Sequence, residues 1–143
     1  MVLAKHPHVW LLSDEIYEHI SYTDFASCAD VLPNLSNRLL VVNGVSKAHS
    51  MTGWRIGWGI GPCDLIKAMT AVQGQVTSGA SSISQAAAMD APLVSSDYVE
   101  TRKNEFERRR NMIQTKLEDI EGISCSQPDG AFYLFPSGQT LLC

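Results

Sequence analysis

The chain has 143 residues, 45% hydrophobic and 18% charged, with a formal net charge of −4 and four cysteines. This is enough for one ordinary domain with its core, and the composition reads as that of a soluble globular protein. The mild acidity gives no electrostatic reason to expect nucleic acid or an anionic membrane as partner, and no apolar run nears the roughly 20 residues that span a bilayer.

At the N-terminus, Met-Val-Leu-Ala-Lys-His-Pro-His lacks the long apolar core of a secretory signal, so a cytoplasmic location is expected. His6-Pro7-His8 reads as a turn leading into a strand rather than a metal half-site, since no other His or Cys clusters nearby. Val9-Trp10-Leu11-Leu12, ending at Ser13-Asp14, predicts a buried strand of a parallel sheet. The polar stretch that follows, with Pro33 and Asn34, reads as loop; Asn34-Leu35-Ser36 fits a glycosylation sequon by chance. Leu39-Leu40-Val41-Val42, ending at Asn43-Gly44, predicts a second strand of the same kind. Arg55 to Ile60, closed by Gly61-Pro62, is a third candidate. Its glycines Gly57, Gly59 and Gly61 lack the G-x-G-x-x-G spacing and the strand-turn-helix setting of a dinucleotide site, and read as close-packed backbone.

Helices come next. Asp64 is a candidate N-cap for a helix carrying Leu65, Ile66, Met69, Val72 and Val76. After a break at Thr77-Ser78-Gly79, Ser81 or Ser82 can cap Ile83 to Met89, with Pro92 ending or kinking the segment. From Ser96 onward, Tyr98, Phe106, Ile113, Leu117 and Ile120 form one helical stripe, with Arg102 and Arg109 in the same register. Glu100, Glu105 and Glu107 interleave with Arg108-Arg109-Arg110, so this face is expected to be solvated and salt-bridged. Gly122 stops the helix, and Ala131 to Phe135, ending at Pro136, predicts a last strand. Cys28, Cys63, Cys125 and Cys143 have no Cys-x-x-Cys pairing and suit free thiols. Strands, then helices, then a strand in a new setting suggest the late part of an α/β domain, a connecting helix and the start of a second domain.

Three features fall at strand ends, where an open α/β sheet places its site. Asp14 and Tyr17 follow the first strand, Lys47 follows the second in Asn43-Gly44-Val45-Ser46-Lys47, and Arg55 comes eight positions after Lys47. Singly, each has an ordinary explanation as a cap, a packing residue, a solvated lysine or a surface charge. Together they resemble something specific. Gly44-Val45-Ser46-Lys47-Ala48-His49-Ser50-Met51-Thr52-Gly53-Trp54-Arg55-Ile56-Gly57 resembles the cofactor-attachment motif of class I and II aminotransferases, which use pyridoxal 5′-phosphate (PLP). Asp14-x-x-Tyr17 stands upstream, and Gly130-Ala131-Phe132-Tyr133 downstream resembles the opening of that family's small domain.

The resemblance implies a fold: the C-terminal part of the large fold-type-I domain, a mixed and mostly parallel sheet with helices (residues 1–95). A connecting helix (96–121) and the start of a small α+β domain (122–143) would follow. It also implies roles. Lys47 would form the Schiff base with PLP and shuttle the substrate proton as a neutral amine. Asp14 would keep the pyridine nitrogen protonated, Tyr17 would donate to the phenolic oxygen, and Arg55 would grip the phosphate with its planar fork, assisted by Ser46. Many relatives carry a hydroxyl residue three before the lysine; here Gly44 stands there. The wording around Asn43 to Lys47 and Ser81 to Ala87 is similar to bacterial aspartate aminotransferases, which implies aspartate and 2-oxoglutarate as substrates and a homodimer. The chain then reads as a fragment of a longer enzyme. Family members acting on aromatic, branched or keto-acid-linked substrates, or using PLP for elimination, stay open at this point, as do a PLP-binding sensor domain of a transcription regulator and an inactive truncated product.

Overall fold

The computed structural model describes residues 2–93 and 96–141. Five strands and four α-helices form within them: β1 (Leu11–Asp14), α1 (Cys28–Val31), β2 (Leu39–Gly44), β3 (Gly57–Ile60), α2 (Cys63–Thr77), α3 (Ser82–Asp90), α4 (Ser96–Glu118), β4 (Ser124–Cys125) and β5 (Pro136–Ser137). The chain divides into two compact units. One holds residues 1–16 and 26–94, the other 17–25 and 95–143.

The first unit is built on a mixed sheet in the order β1-β2-β3. β1 pairs with β2 in parallel, Leu11 opposite Leu39 through Asp14 opposite Val42, and β3 pairs with β2 antiparallel, Val41 opposite Ile60 through Gly44 opposite Gly57. β2 is the centre of the core: Leu39, Leu40 and Val41 are buried, with Leu35, Val45, Ala48 and Ala91. β1 corrects the expectation of a fully buried strand. It starts at Leu11 rather than Val9 and alternates between half-buried and exposed residues, leaving Leu12 60% exposed. The cause is that the sheet face carrying Leu12 is uncovered among the described residues. The third strand also starts later than expected, at Gly57, because Arg55 is left-handed and cannot extend it. The turn ahead of β1 is held by Arg38, whose guanidinium donates to the carbonyls of Leu3, His6 and Val9 at 2.6–2.8 Å.

The stretch expected to be loop holds α1 and a 3-10 turn at Pro33–Leu35. Local caps account for it: the Ser27 hydroxyl accepts from the Ala29 N–H at 3.2 Å, and Pro33 opens the second turn with its φ preset. α2 begins at Cys63 behind Pro62, so Asp64 lies inside the first turn and is not the N-cap; there its carboxylate complements the helix dipole. α3 is capped by Ser81, whose hydroxyl accepts from the Ser84 N–H, and it ends at Asp90, two residues before Pro92. The apolar stripe of α2 does not form core: Met69, Val72 and Val76 are exposed.

In the second unit, α4 starts at Ser96 as expected and runs for 23 residues, ending at Glu118, three residues before the expected end at 121. Arg108 and Arg109 both pair with Glu105 on the solvated face, and these contacts hold the Glu105 carboxyl down at about 2 while raising Arg108. Arg110 departs from the expectation for the arginine triplet. It is 6% exposed, donating to Glu107 Oε1 at 3.0 Å, to Asn111 Oδ1 at 2.8 Å and to the Pro128 carbonyl, with its guanidinium 4.4 Å from the centroid of the Tyr22 ring. Burial pushes the Tyr22 phenol up, with the Arg110 charge pulling the other way.

The expected strand over 131–135 is absent as well. The Ala131 N–H donates to the Ile20 carbonyl at 2.8 Å, the Tyr22 hydroxyl donates to the Ala131 carbonyl, and Ala131 adopts φ 59°, which breaks an extended run. Pairing falls instead on β4 with β5, and on a bridge between Ser21 and Gly130. Cys28, Cys63 and Cys125 are free thiols; Cys143 lies outside the described residues. Among the described residues no helix is long and apolar enough to cross a membrane, and no group of His, Cys, Asp or Glu is placed to hold a metal.

Candidate active site

Strand directions decide which side chains share an edge. β1 and β2 run in parallel and β3 runs back against β2, so the carboxyl ends of β1 and β2 and the start of β3 lie on one edge of the sheet. Asp14 ends β1, Lys47 follows β2 by three residues, and Arg55 precedes β3 by two. The topology therefore gathers Asp14, Ser46, Lys47 and Arg55 on one edge.

Each is positioned by local physics. Side chains alternate across a strand, so the adjacent carboxylates Asp14 and Glu15 separate to opposite faces. Asp14 is exposed, and its Oδ1 accepts from the Ile16 N–H at 3.2 Å. Glu15 is buried, with its Oε1 accepting from Ser13 Oγ at 3.0 Å and the Cys28 N–H at 2.9 Å, which ties the start of α1 to the end of β1. The sequence reading passed over Glu15, and only the alternation after an apolar run could have singled it out.

Lys47 sits in a turn closed by the His49 N–H donating to the Val45 carbonyl and the Ser50 N–H donating to the Lys47 carbonyl, both at 3.3 Å. Val45 and Ala48, at 0% and 3% exposure, anchor the turn on either side and leave Ser46 and Lys47 half-buried at the rim. Arg55 caps the 3-10 turn Thr52–Trp54 in a left-handed conformation (φ 55°, ψ 48°). Its Nη1 donates to the Thr52 carbonyl at 2.8 Å. A non-glycine residue held there carries backbone strain of about 1–2 kcal/mol, a feature often found at functional positions.

An open groove of about 980 Å³ runs along this unit, lined by Val42, Asn43, Arg55, Trp58, Met69 and Gly79 among others. It includes Arg55 but not Asp14, Ser46 or Lys47, so it adjoins the cluster without defining it.

Tyr17, the remaining residue singled out from sequence, belongs to the second unit. Its hydroxyl is hydrogen-bonded to that of Tyr133 at 2.9 Å, and its ring meets Phe132 and Tyr133 edge-on, with centroids 5.3 and 5.8 Å away. Phe132 and Tyr133 come from the Gly130-Ala131-Phe132-Tyr133 segment that the sequence marked only as a domain opening.

The sequence model of the family "aminotransferase class I and II" matches residues 1–141. A probable aspartate/prephenate aminotransferase of Rhizobium leguminosarum bv. phaseoli is 49% identical over 143 residues, covering 99% of this chain and 36% of that protein. An aspartate aminotransferase of Rhizobium meliloti is 53% identical over 136 residues, covering 94% and 33%. The crystal structure of an aspartate aminotransferase from Rhizobium meliloti superposes with a TM-score of 0.90 at 52% identity, over 94% of this chain and 34% of that one. That of Thermus thermophilus with maleate gives 0.81 at 36% identity, over 94% and 35%. The fold is thus that of an α/β transferase. The chain belongs to the class I and II aminotransferase family and spans about a third of the length of the curated relatives it matches.

Proposed function

We propose that this chain carries the cofactor-holding segment of a PLP-dependent aminotransferase that moves an amino group from an amino acid, aspartate foremost, to a 2-oxo acid, 2-oxoglutarate foremost. The observation that carries the reading is the gathering of an amine, a guanidinium, a hydroxyl and a carboxylate on one sheet edge in a chain of this family. That donor set fits PLP, whose aldehyde, phosphate and ring nitrogen require an amine, a cationic fork with a hydroxyl, and an anion. When bound, PLP supplies an electron sink for the charge that develops at the substrate Cα.

The chain's own residues do the rest. Lys47 Nζ would hold the cofactor and, as an amine, would carry the proton to and from the substrate Cα. The Asp14 carboxylate would hold a proton at the ring nitrogen. Tyr17 donates to the cofactor's phenolic oxygen. Arg55 and Ser46 would hold the phosphate, Arg55 with a planar fork that Lys would not reproduce.

We assign residues 1–95 to the large domain, 96–121 to a connecting helix and 122–143 to the start of the small domain. We further propose that the whole protein acts as a homodimer in the cytosol, a reducing compartment that suits the three free thiols among the described residues. Because another relative's name adds prephenate, that 2-oxo acid belongs in the assay as a second acceptor.

The test is a stopped-flow half-reaction of the whole PLP-loaded protein with aspartate. The parent should convert its cofactor to the amino form and release a 2-oxo acid. Asp14→Ala should retain PLP yet react orders of magnitude more slowly, because charge stabilisation is commonly the largest catalytic term. Failure of the parent to transfer an amino group from any amino acid would remove the proposal.

A further inference from the structure

We propose that Tyr133 is a positioning residue: its hydroxyl fixes the direction of the Tyr17 hydroxyl and strengthens it as a hydrogen-bond donor. The inference rests on the proposed contact between Tyr17 and the cofactor's phenolic oxygen, and it deepens that reading by adding a residue from the far end of the chain.

The two hydroxyl oxygens are 2.9 Å apart, although the residues are 116 positions apart in sequence. Either phenol can supply the proton of such a pair. When Tyr17 turns its own proton to a ligand oxygen, Tyr133 is the group that donates into the Tyr17 oxygen. A phenol that accepts one hydrogen bond becomes a better donor of the next, because the bonds polarise one another in series.

The backbone around Tyr133 is fixed from several sides. Gly130 bridges to Ser21, the Ala131 N–H donates to the Ile20 carbonyl at 2.8 Å, and the Tyr22 N–H donates to the Asp129 carbonyl at 2.7 Å. A Cβ on Gly130 would stand 3.1 Å from the Ile20 carbonyl oxygen, so the two segments meet without room for a side chain. Ala131 turns through φ 59°, and Phe132 and Tyr133 then pack on the Tyr17 ring in edge-on contacts. The charged neighbours have other partners. Glu18 pairs with His19 at 3.1 Å, and the Arg102 guanidinium lies 5.5 Å from the centroid of Phe106, the ring behind Phe132.

A donor to the cofactor's phenolic oxygen favours the anionic form of that oxygen. Losing the donor should therefore raise the pH midpoint of the bound cofactor's visible absorption change. The experiment titrates that absorption in the PLP-loaded parent, Tyr17→Phe, Tyr133→Phe and the double variant. Tyr17→Phe should raise the midpoint by about one to two pH units, the equivalent of a hydrogen bond to a charged group. Tyr133→Phe keeps its ring contacts and should keep the parent's melting temperature, but it should raise the midpoint by about a few tenths of a pH unit, the share that passes through a polarised chain. In the Tyr17→Phe background it should add nothing. A shift in Tyr17→Phe with none in Tyr133→Phe, or the same added shift in both backgrounds, overturns the role of Tyr133 and leaves Tyr17 in place. No shift in Tyr17→Phe removes the Tyr17 contact, and the role of Tyr133 with it.

Discussion

Gly44 and Gly57 face each other across β2 and β3 so closely that a Cβ on Gly44 would stand 3.0 Å from the Gly57 Cα and 2.8 Å from the Ile56 carbonyl oxygen. The position three before Lys47, where many relatives carry a hydroxyl, is thus closed here by backbone. Gly44→Ser should not add a phosphate contact. It should force β3 away from β2, lowering stability by about 1–3 kcal/mol and weakening PLP retention. Chemical denaturation and dialysis of the loaded protein check both effects. A Gly44→Ser protein that held PLP more tightly at unchanged stability would refute this account of the edge.

Arg55 separates stability from binding. Arg55→Gly relieves the left-handed backbone and should raise the stability of the PLP-free protein by up to about 1 kcal/mol. The same change should weaken PLP binding about ten- to a hundred-fold, the equivalent of a charge-assisted hydrogen bond. Arg55→Lys should fall between parent and Arg55→Gly in affinity, because it keeps the charge and loses the fork. Equal PLP affinity in all three proteins would assign Arg55 to structure alone.

The arginine triplet of α4 should split on mutation. Arg110→Ala removes a buried cation from Glu107, the Pro128 carbonyl and the Tyr22 ring, and should cost about 3 kcal/mol. Arg108→Ala should leave the denaturation midpoint nearly unchanged, because its side chain is exposed. Glu105, held down at about 2, should stay ionised in an NMR titration well below the ordinary carboxylate range. Its folded value lies below its unfolded one, so the pairing's contribution is complete above about pH 4.5. It is lost as pH falls through 2. Equal destabilisation by Arg108→Ala and Arg110→Ala would contradict the burial difference.

Much of the candidate site's placement on the sheet is legible in the sequence because its signals are local. Apolar runs that end at Ser13-Asp14 and Asn43-Gly44 mark strand ends, and a lysine or aspartate at such an end falls on the site edge by topology. The misses came from interactions with no local signature. Arg108, Arg109 and Arg110 read alike until the Pro128 segment takes the third. The run from Ala131 to Phe135 has strand-like residues, but contacts with Ile20 and Tyr22 turn its backbone at Ala131. β1 reads as a buried run, while the uncovered face of its sheet leaves Leu12 exposed. Tyr133 reads from sequence only as part of a domain opening, because its partner stands 116 positions earlier.

The 143-residue chain alone should fold poorly. Leu12, Ile60, Val76, Ile83 and Leu93 are between 60% and 81% exposed, and β1 and β3 are both sheet edges. We expect a broad thermal transition and strong binding of an apolar dye. A sharp cooperative transition with no dye binding would show that these faces need no cover.

The central claim, that Lys47 is the residue that bears PLP, is tested most directly by borohydride reduction of the PLP-loaded protein followed by peptide mass spectrometry. The account predicts the cofactor's mass on the Lys47 peptide, and its absence from a Lys47→Ala protein that still binds PLP through Arg55, Ser46 and Asp14. Cofactor reduced onto Lys67 or any lysine other than Lys47, or onto none, would contradict it.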